Sequence, residues 1–218
     1  ENNQFNVMMR GGGKRVRYMA LLDYKNKFGL LNEDYTHYSD RYNSQIRTYE
    51  LGLRMNLDVD ITSSTQMKFG LYGIIGEDKR PNTAINTIFQ NFYKVPAAAF
   101  PVKTLNDNWG SNTLFKMNPI AAIADVGYVQ ENRRMLETDM RITQDFSMFL
   151  KGLSAEVAVA YDNTATFQDI GSKTYKYEVG YLSEEGLPVS ETYGTDSKVQ
   201  ITKSVLSAQL IRASVEAK

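Results

Sequence analysis

The amino-acid sequence predicts an all-β protein built from long antiparallel strands, and three observations support this prediction. Apolar and polar residues alternate along several long segments, most strictly over residues 48–61. Short turns alternate along the chain with long connections. The 218 residues include 14 Tyr, 10 Phe, 5 Pro and no Cys, with a formal net charge of zero, which is typical of a folded chain and not of a disordered one.

The composition also excludes several classes of function. A chain without Cys has no disulfide, no thiolate metal site and no cysteine nucleophile. The one histidine, His37, cannot form a multi-histidine metal site, and we expect no metal or other cofactor. A net charge of zero gives no general attraction for a phosphate backbone, so nucleic acid is not an expected partner. No segment reaches the roughly 18 to 20 apolar residues of a transmembrane helix.

The segment 48–61 is the clearest predicted strand. All of its odd-numbered positions are apolar, and none of its even-numbered positions is. A period of two residues means a β-strand with one apolar and one polar face. At ~3.3 Å per residue this strand would span ~46 Å, whereas the strands of soluble proteins usually span ~17–20 Å. The apolar residues are Tyr49, Leu51, Leu53, Met55, Leu57, Val59 and Ile61.

Weaker alternation predicts seven further strands and the connections between them. The strands lie near residues 4–10, 16–25, 66–76, 133–145, 153–162, 175–181 and 204–218. The connections 11–14, 62–65 and 146–152 are short, whereas the loops 26–47, 77–132 and 163–203 are long. The second long loop holds a predicted helix, because Ala84, Ile88 and Phe92 recur at helical spacing after Pro81. No leader precedes the first strand and no turn follows the last, so we expect a mature or internal segment of a protein.

Long strands with short turns at one end and long loops at the other are the pattern of a transmembrane β-barrel. In that interpretation the apolar faces contact lipid and the polar faces line a lumen. A strand tilt of ~40° would reduce the ~46 Å of segment 48–61 to ~35 Å, enough for the apolar band and both interfaces. The alternative is a soluble, secreted all-β sandwich that binds glycans, whose strands would also alternate. The strand lengths and the turn asymmetry favour the barrel.

Several short motifs, in order along the chain, resemble those of a known family. They are GGGKRVRY from residue 11, RYN from residue 41, RMNLDVD from residue 54, the loop phrases IFQ, FPV and NP from residues 88, 100 and 118, and KGLS from residue 151. Together they resemble the SusC-like family of TonB-dependent outer-membrane transporters over residues 4 to about 162. One departure is Asp23, where that family more often has a small residue.

The resemblance implies a fold and a function that alternation alone does not establish. The fold is a ~22-stranded barrel, of which this chain would supply about seven or eight strands and no plug domain. The implied function is uptake of oligosaccharides or oligopeptides across the outer membrane of a Gram-negative cell, with no enzymatic step. The implied partners are a SusD-like surface lipoprotein that closes over the barrel, the TonB energy-coupling system and outer-membrane lipid.

Three motifs also occur in enzymes, and each has a simpler structural interpretation. The string from Asp58 matches the DxDxT of aspartyl-phosphate phosphatases, but that chemistry needs a buried parallel strand and this strand is amphipathic. The glycine-rich first turn lacks the Ser/Thr and the following helix of a phosphate-binding loop. Glu137 and Asp139 share a face as glycosidase carboxylates do, but arginines alternate with them, which favours charge pairing along a polar wall.

The candidate substrate-facing residues lie mostly on the polar faces of the predicted strands. In the barrel interpretation these residues line the lumen: Arg54, Asp58, Glu137, Asp139 and Arg141. Trp109, in a long loop, either stacks on a sugar ring or anchors its own loop, and the sequence leaves both interpretations open. Tyrosines near the strand ends suit an interfacial aromatic girdle, namely Tyr18, Tyr24, Tyr49 and Tyr161.

Overall fold

The computed structural model describes residues 2–37 and 42–217. Over these residues the elements, in chain order, are β1 (Asn3–Gly12), β2 (Val16–Phe28), α1 (Glu33–Thr36), β3 (Arg47–Asp60), β4 (Thr65–Pro81), α2 (Ile85–Lys94), β5 (Trp109–Asn112), α3 (Ala121–Ala124), β6 (Gly127–Asp145), β7 (Ser154–Ser172), β8 (Tyr177–Leu182), β9 (Pro188–Tyr193) and β10 (Gln200–Ala217). The prediction of a mostly antiparallel all-β protein is confirmed. None of the described helices is long and apolar enough to cross a membrane.

Seven strands form one large sheet in the order β1-β2-β3-β4-β6-β7-β10. Every neighbouring pair in it is antiparallel. The strands thus follow chain order, and the inserted elements lie outside this sheet. Strands β1 and β10 are its two edges, so the described sheet is not a closed barrel.

The register between strands places the apolar residues on one face. Leu53 of β3, for example, pairs with Leu22 of β2 on one side and with Gly73 of β4 on the other. Because paired residues point to the same side of a sheet, this register aligns the apolar rows of all seven strands. The row members include Val7, Met9, Leu22, Tyr24, Leu51, Leu53, Met55, Met67, Phe69, Leu71, Leu136, Met140, Val157, Val159, Ile211 and Val215.

The apolar face of the large sheet is exposed. Leu53, near the middle of the sheet, keeps 37% of its surface accessible, and Val215 on the edge strand β10 keeps 77%. The buried apolar side chains of the described residues lie elsewhere, chiefly on α3, on α2 and at Trp109. The large sheet is therefore a single layer whose apolar side is not the core of a two-layer domain.

Four strands run at least four residues further toward the long loops than alternation predicts. Strand β4 continues to Pro81, β7 continues to Ser172, β6 already begins at Gly127, and β10 begins at Gln200. The predicted limits of 76, 162, 133 and 204 were therefore too short. The extensions include stretches that are polar on both faces, such as residues 77–80, where ladder pairing continues although alternation has stopped. The long loops are correspondingly shorter than expected.

A second, smaller sheet lies at the long-loop end of the large one. Strand β5 pairs with β8 in parallel, and β8 pairs with β9 antiparallel. The predicted strand 175–181 therefore belongs to this small sheet, and β5 and β9 lie in segments that we had predicted as loop. The predicted helix of the second loop is confirmed as α2, whereas the four-residue helices α1 and α3 carry too little periodicity to be predicted.

Buried contacts attach the small sheet to the end of the large one. Trp109 packs on Ala121 and Ala124 of α3, and its indole Nε1 donates a 2.9 Å hydrogen bond to Asp125. Asp125 also forms an ion pair with Lys173, which directly follows β7. The small sheet is thus held where β6 begins and β7 ends.

We expect Gly127→Ala to destabilise the protein by about 1–3 kcal/mol. Gly127 begins β6 with a φ of +97°, and a Cβ there would press against the carbonyl oxygen of Gly171 on β7. Gly52→Ala is the matched control, because a Cβ at Gly52 would meet its nearest atom at 3.8 Å. Equal denaturation midpoints for the two variants would contradict the expected strain at Gly127.

Candidate functional site

The five strand residues predicted to face substrate lie on one face of the large sheet, opposite the apolar rows. Arg54 pairs with Tyr72, which pairs with Glu137, and Asp58 pairs with Lys68, which pairs with Arg141. The fifth, Asp139, pairs with Gly70. The structure therefore brings them together across β3, β4 and β6. This charged face also carries a minority of apolar residues, among them Leu21 and Ile74.

Ion pairs and one cation–π contact organise these predicted residues. The guanidinium of Arg54 lies 4.9 Å from the ring centroid of Tyr72. Arg17 of β2 contacts Asp58 at 3.9 Å, and Arg141 contacts Glu156 of β7 at 3.5 Å. The arginine side chains in these pairs are about half exposed, so each pair contributes little to stability. They orient charge along the face rather than hold the sheet together.

A charge cluster that spans several strands of this face was missed by sequence reasoning. Glu50 accepts from Lys25 at 3.2 Å and from Arg133 at 3.0 Å, which joins β2, β3 and β6. Strand β4 runs between Glu50 and Arg133, but the residue at this point is Gly76, and the arginine reaches across it. The signal in the sequence was Gly76. It can be recognised only once the strand register shows that this glycine lies between Glu50 and Arg133.

Trp109 does not lie on the charged face. It is 1% exposed, its Nε1 is bonded to Asp125, and the ammonium of Lys103 lies 3.8 Å from its ring centroid. Neither face of the indole is open to a sugar ring. This burial corrects the placement of Trp109 among the substrate-facing residues and favours its alternative interpretation as a loop anchor.

Two partly buried tyrosines support the same anchor. The Tyr42 hydroxyl donates to the carbonyl of Ala124 at 2.9 Å and accepts from the amide of Gly127 at 3.2 Å. Burial raises the pKa of Tyr42 to about 12, and burial also raises the pKa of Tyr175, beside Trp109, to about 12. Both phenols therefore stay neutral under physiological conditions and act as structural groups.

A cleft over the small sheet is a second candidate site, and sequence reasoning missed it. The cleft has a volume of about 480 Å³ and lies between one face of the small sheet and the segment 99–106. Glu178 of β8 lines it and is 6% exposed. A hydrogen bond from Ser190, then one from Thr104, and others from Asn106 and Asn108 lower the pKa of Glu178 to about 2.

The other candidate chemistries find no geometric support. Among residues 2–37 and 42–217, His, Asp and Glu side chains do not form a group of three that could hold a metal ion. Asp58 and Asp60, the carboxylates of the phosphatase-like string, lie on an antiparallel strand beside Arg17. His37 is exposed and its ring contacts Asn43, in agreement with its predicted position in a polar loop.

Comparison of the chain with protein-family models finds no match, and comparison with curated proteins finds no similar sequence.

We expect the small sheet to lose stability as the pH falls from about 4.5 to about 2. The folded state lowers the pKa of Glu178 from its ordinary value of 4.5 to about 2, so ionised Glu178 stabilises the fold above pH 4.5. That contribution disappears as the carboxylate gains a proton. Trp109 is the one tryptophan in the chain, so its fluorescence reports this transition locally.

The matched pair of variants is Glu178→Gln and Glu185→Gln. Glu185 lies in the exposed turn between β8 and β9 and serves as the control. Glu178→Gln should flatten the acid transition and weaken the small sheet at neutral pH, whereas Glu185→Gln should leave both unchanged. An acid transition of the same size in all three proteins would show that Glu178 is not its source.

Proposed function

We propose that the chain forms part of an outer-membrane β-barrel importer of the SusC-like class. In this proposal the apolar face of the large sheet contacts lipid and the charged face lines the lumen. The observation that carries the proposal is the exposed apolar face that extends across all seven strands. The resemblance of the motifs between residues 11 and 162 points in the same direction.

The dimensions of the apolar face suit a bilayer. From Tyr49 to Val59 the row on β3 covers about ten steps of ~3.3 Å, and a tilt of ~40° reduces the resulting ~33 Å to ~25 Å. This equals the ~25 Å apolar band of outer-membrane barrels. Six strand spacings of ~4.8 Å give the face an area on the order of 900 Å², whereas the largest apolar patch on a soluble monomer is ~300–600 Å².

The chemistry at the edge of this band also suits a membrane interface. On β4 the apolar row ends at Ile75 and continues with Glu77 and Lys79, which form an ion pair at 2.9 Å. At the same position along the strands, where Tyr49 pairs with Glu77, Tyr24 and Tyr49 pack edge to face with ring centroids 5.6 Å apart. Tyrosines followed by paired charges are what a headgroup region favours. A sandwich core would need neither feature, which weighs against the soluble glycan-binding alternative.

The edges of the large sheet favour a larger assembly. Strand β1 uses one side to pair with β2, and β10 uses one side to pair with β7, so each leaves a row of backbone groups without a strand partner in the described sheet. Hydrocarbon does not tolerate such edges, because unpaired backbone groups have no water to bind there. Further strands of the same barrel would satisfy both edges, as in a barrel of ~22 strands.

The roles in import follow from this arrangement. The charged face, with Arg54, Asp58, Glu137, Asp139 and Arg141, would give the lumen a hydrated wall for oligosaccharide or oligopeptide cargo. The long loops and the small sheet would face the cell exterior and contribute to cargo capture and to docking of a SusD-like lipoprotein. Energy would come from the TonB system through other parts of the transporter. The chain itself would catalyse no reaction.

A depth series of arginine substitutions tests the lipid-facing assignment. A lipid-facing Arg costs ~2–4 kcal/mol near the bilayer midplane and ~0–1 kcal/mol near an interface. Leu53→Arg, in the middle of the row, should therefore impair folding into liposomes far more than Tyr49→Arg, with Leu51→Arg between them. The yield of folded protein by heat-modifiable gel mobility measures the effect.

Arg54→Leu is the matched control for this series. Arg54 neighbours Leu53 in sequence but points to the charged face, so Arg54→Leu should fold nearly normally and change conductance or transport instead. A flat depth profile, or greater damage from Arg54→Leu than from Leu53→Arg, would remove the membrane assignment.

The proposal also predicts the sidedness of the loops. The short turns at 11–14, 62–65 and 146–152 should face the periplasm, and the small sheet should face the exterior. Protease added to intact cells that produce the protein should therefore cut within the exposed segment 184–186 between β8 and β9. Cuts confined to the short turns would reverse the topology.

A further inference from the structure

The cleft over the small sheet has the form of a ligand site. Its floor is the face of the small sheet on which Gly110, Glu178 and Gly180 lie side by side, since Gly110 pairs with Glu178 and Asn112 pairs with Gly180. A Cβ at Gly180 would meet nothing within 4 Å, so the floor is open there. The volume of about 480 Å³ lies within the ~300–1,000 Å³ typical of small-molecule pockets.

The walls of the cleft are mainly apolar. Phe100 and Pro101 stand on one side, and Pro188 and Ser190 of β9, on the same face as Gly180, stand on the other. Gly110 lets this wall approach closely, because any Cβ there would collide with the carbonyl of Pro101. A short apolar body would therefore bury part of its surface between these walls.

The Glu178 carboxylate is the charged group of this apolar cleft. Its hydrogen-bond donors are the neutral hydroxyls of Thr104 and Ser190 and the neutral amides of Asn106 and Asn108. These contacts orient the carboxylate but do not cancel its negative charge. Among the described residues that line the cleft, none is Lys, Arg or His. A cationic group on a ligand would therefore meet a negative charge without a competing cation among these lining residues.

The donors of Glu178 differ in strength in a way that leaves room for a ligand. The Thr104 hydroxyl lies at 2.7 Å, whereas the amides of Asn106 and Asn108 lie at 3.3–3.4 Å, beyond the usual range for an N–H donor. Asn106 is exposed, so its amide can exchange the hydrogen bond to Glu178 for one to water at little cost in free energy. An ammonium in its place would form a shorter, charge-assisted bond of ~2.7–2.9 Å.

We propose that this cleft binds a primary ammonium group attached to a short apolar body, as in the amino-terminal residue of an oligopeptide, with Glu178 as the counter-ion. The role of this cleft in cargo recognition rests on the import function proposed above. The binding itself requires only that the small sheet is folded. An ammonium gains more from this carboxylate than a sugar hydroxyl does, because only the ammonium neutralises its charge.

Calorimetric titration of the purified protein in detergent tests this proposal. The probes are the tripeptide amide Phe-Ala-Ala and its N-acetyl derivative. They differ only at the amino terminus, which is an ammonium in the first and an acetamide in the second. The free amine should bind about tenfold tighter or better, and the preference should weaken at high salt. Equal affinity of the two probes would overturn the proposal, as would tighter binding of a neutral oligosaccharide such as maltotriose.

Two variants assign the binding to the cleft. Glu178→Gln should abolish the preference for the free amine, whereas Glu185→Gln should keep it. Gly180→Leu should fill the floor and weaken both probes at least about tenfold while Glu178 stays in place. Unchanged Trp109 emission would verify that the small sheet remains folded in each variant. If Glu178→Gln unfolds the small sheet, Gly180→Leu and the comparison of the free and acetylated peptides test the site instead. Unchanged affinity in Gly180→Leu would overturn the assignment of binding to the cleft.

Further probes separate the sources of the ammonium. Nα-acetyl-lysine amide presents a side-chain ammonium, and glucosamine presents one on a sugar ring. If the tripeptide binds more tightly than both of these compounds, the result supports a peptide amino terminus as the ligand. Tighter binding of either compound would overturn the assignment to a peptide amino terminus. The liposome depth series is independent of these titrations. A flat depth profile with intact amine binding removes the import function alone, whereas a graded profile without amine binding removes this inference alone.

Discussion

The register between neighbouring strands is the constraint on which the rest of this structure depends. Because side chains alternate with a period of two, a slip of one residue in any pair would move the apolar set of a strand onto the charged face. Leu22, Leu53 and Gly73 show the register that avoids this. The same alignment repeated over seven strands produces one apolar face and one charged face without a second layer to cover either.

On the charged face of the large sheet, glycines make room for charged side chains of neighbouring strands. Gly76 leaves the gap through which Arg133 reaches Glu50, and a Cβ at Gly70 would collide with the carboxylate of Asp139. At Gly76, two charges separated by a strand therefore meet, because the intervening strand has no side chain there. The Arg133–Glu50 pair is partly exposed and contributes little stability, so its main effect is to fix charges of both signs on this face.

The conventional buried core of this chain is small and lies at one end. Trp109 on Ala121 and Ala124, together with Asp125 and Lys173, holds the small sheet where the large sheet ends. The cleft beside Glu178 depends on this attachment, because the anchor and the cleft share strand β5. The anchor thus fixes the strand on which one side of the cleft is built.

Much of the large sheet was determined by the sequence itself. Alternation is a local signal, because each side chain reports the face of its own strand. Over residues 48–61 it predicted β3 and the side on which Arg54 and Asp58 lie, and over 133–145 it predicted the side on which Glu137, Asp139 and Arg141 lie. Where alternation stopped, as at Glu77, the strand continued through backbone pairing that side-chain pattern does not record. Only the tertiary structure decided which charges meet, since Glu50 and Arg133 are 83 residues apart. It also buried Trp109 and formed the cleft, because Thr104 and Glu178 come together across 74 residues and β5, with four residues, is too short to show a period.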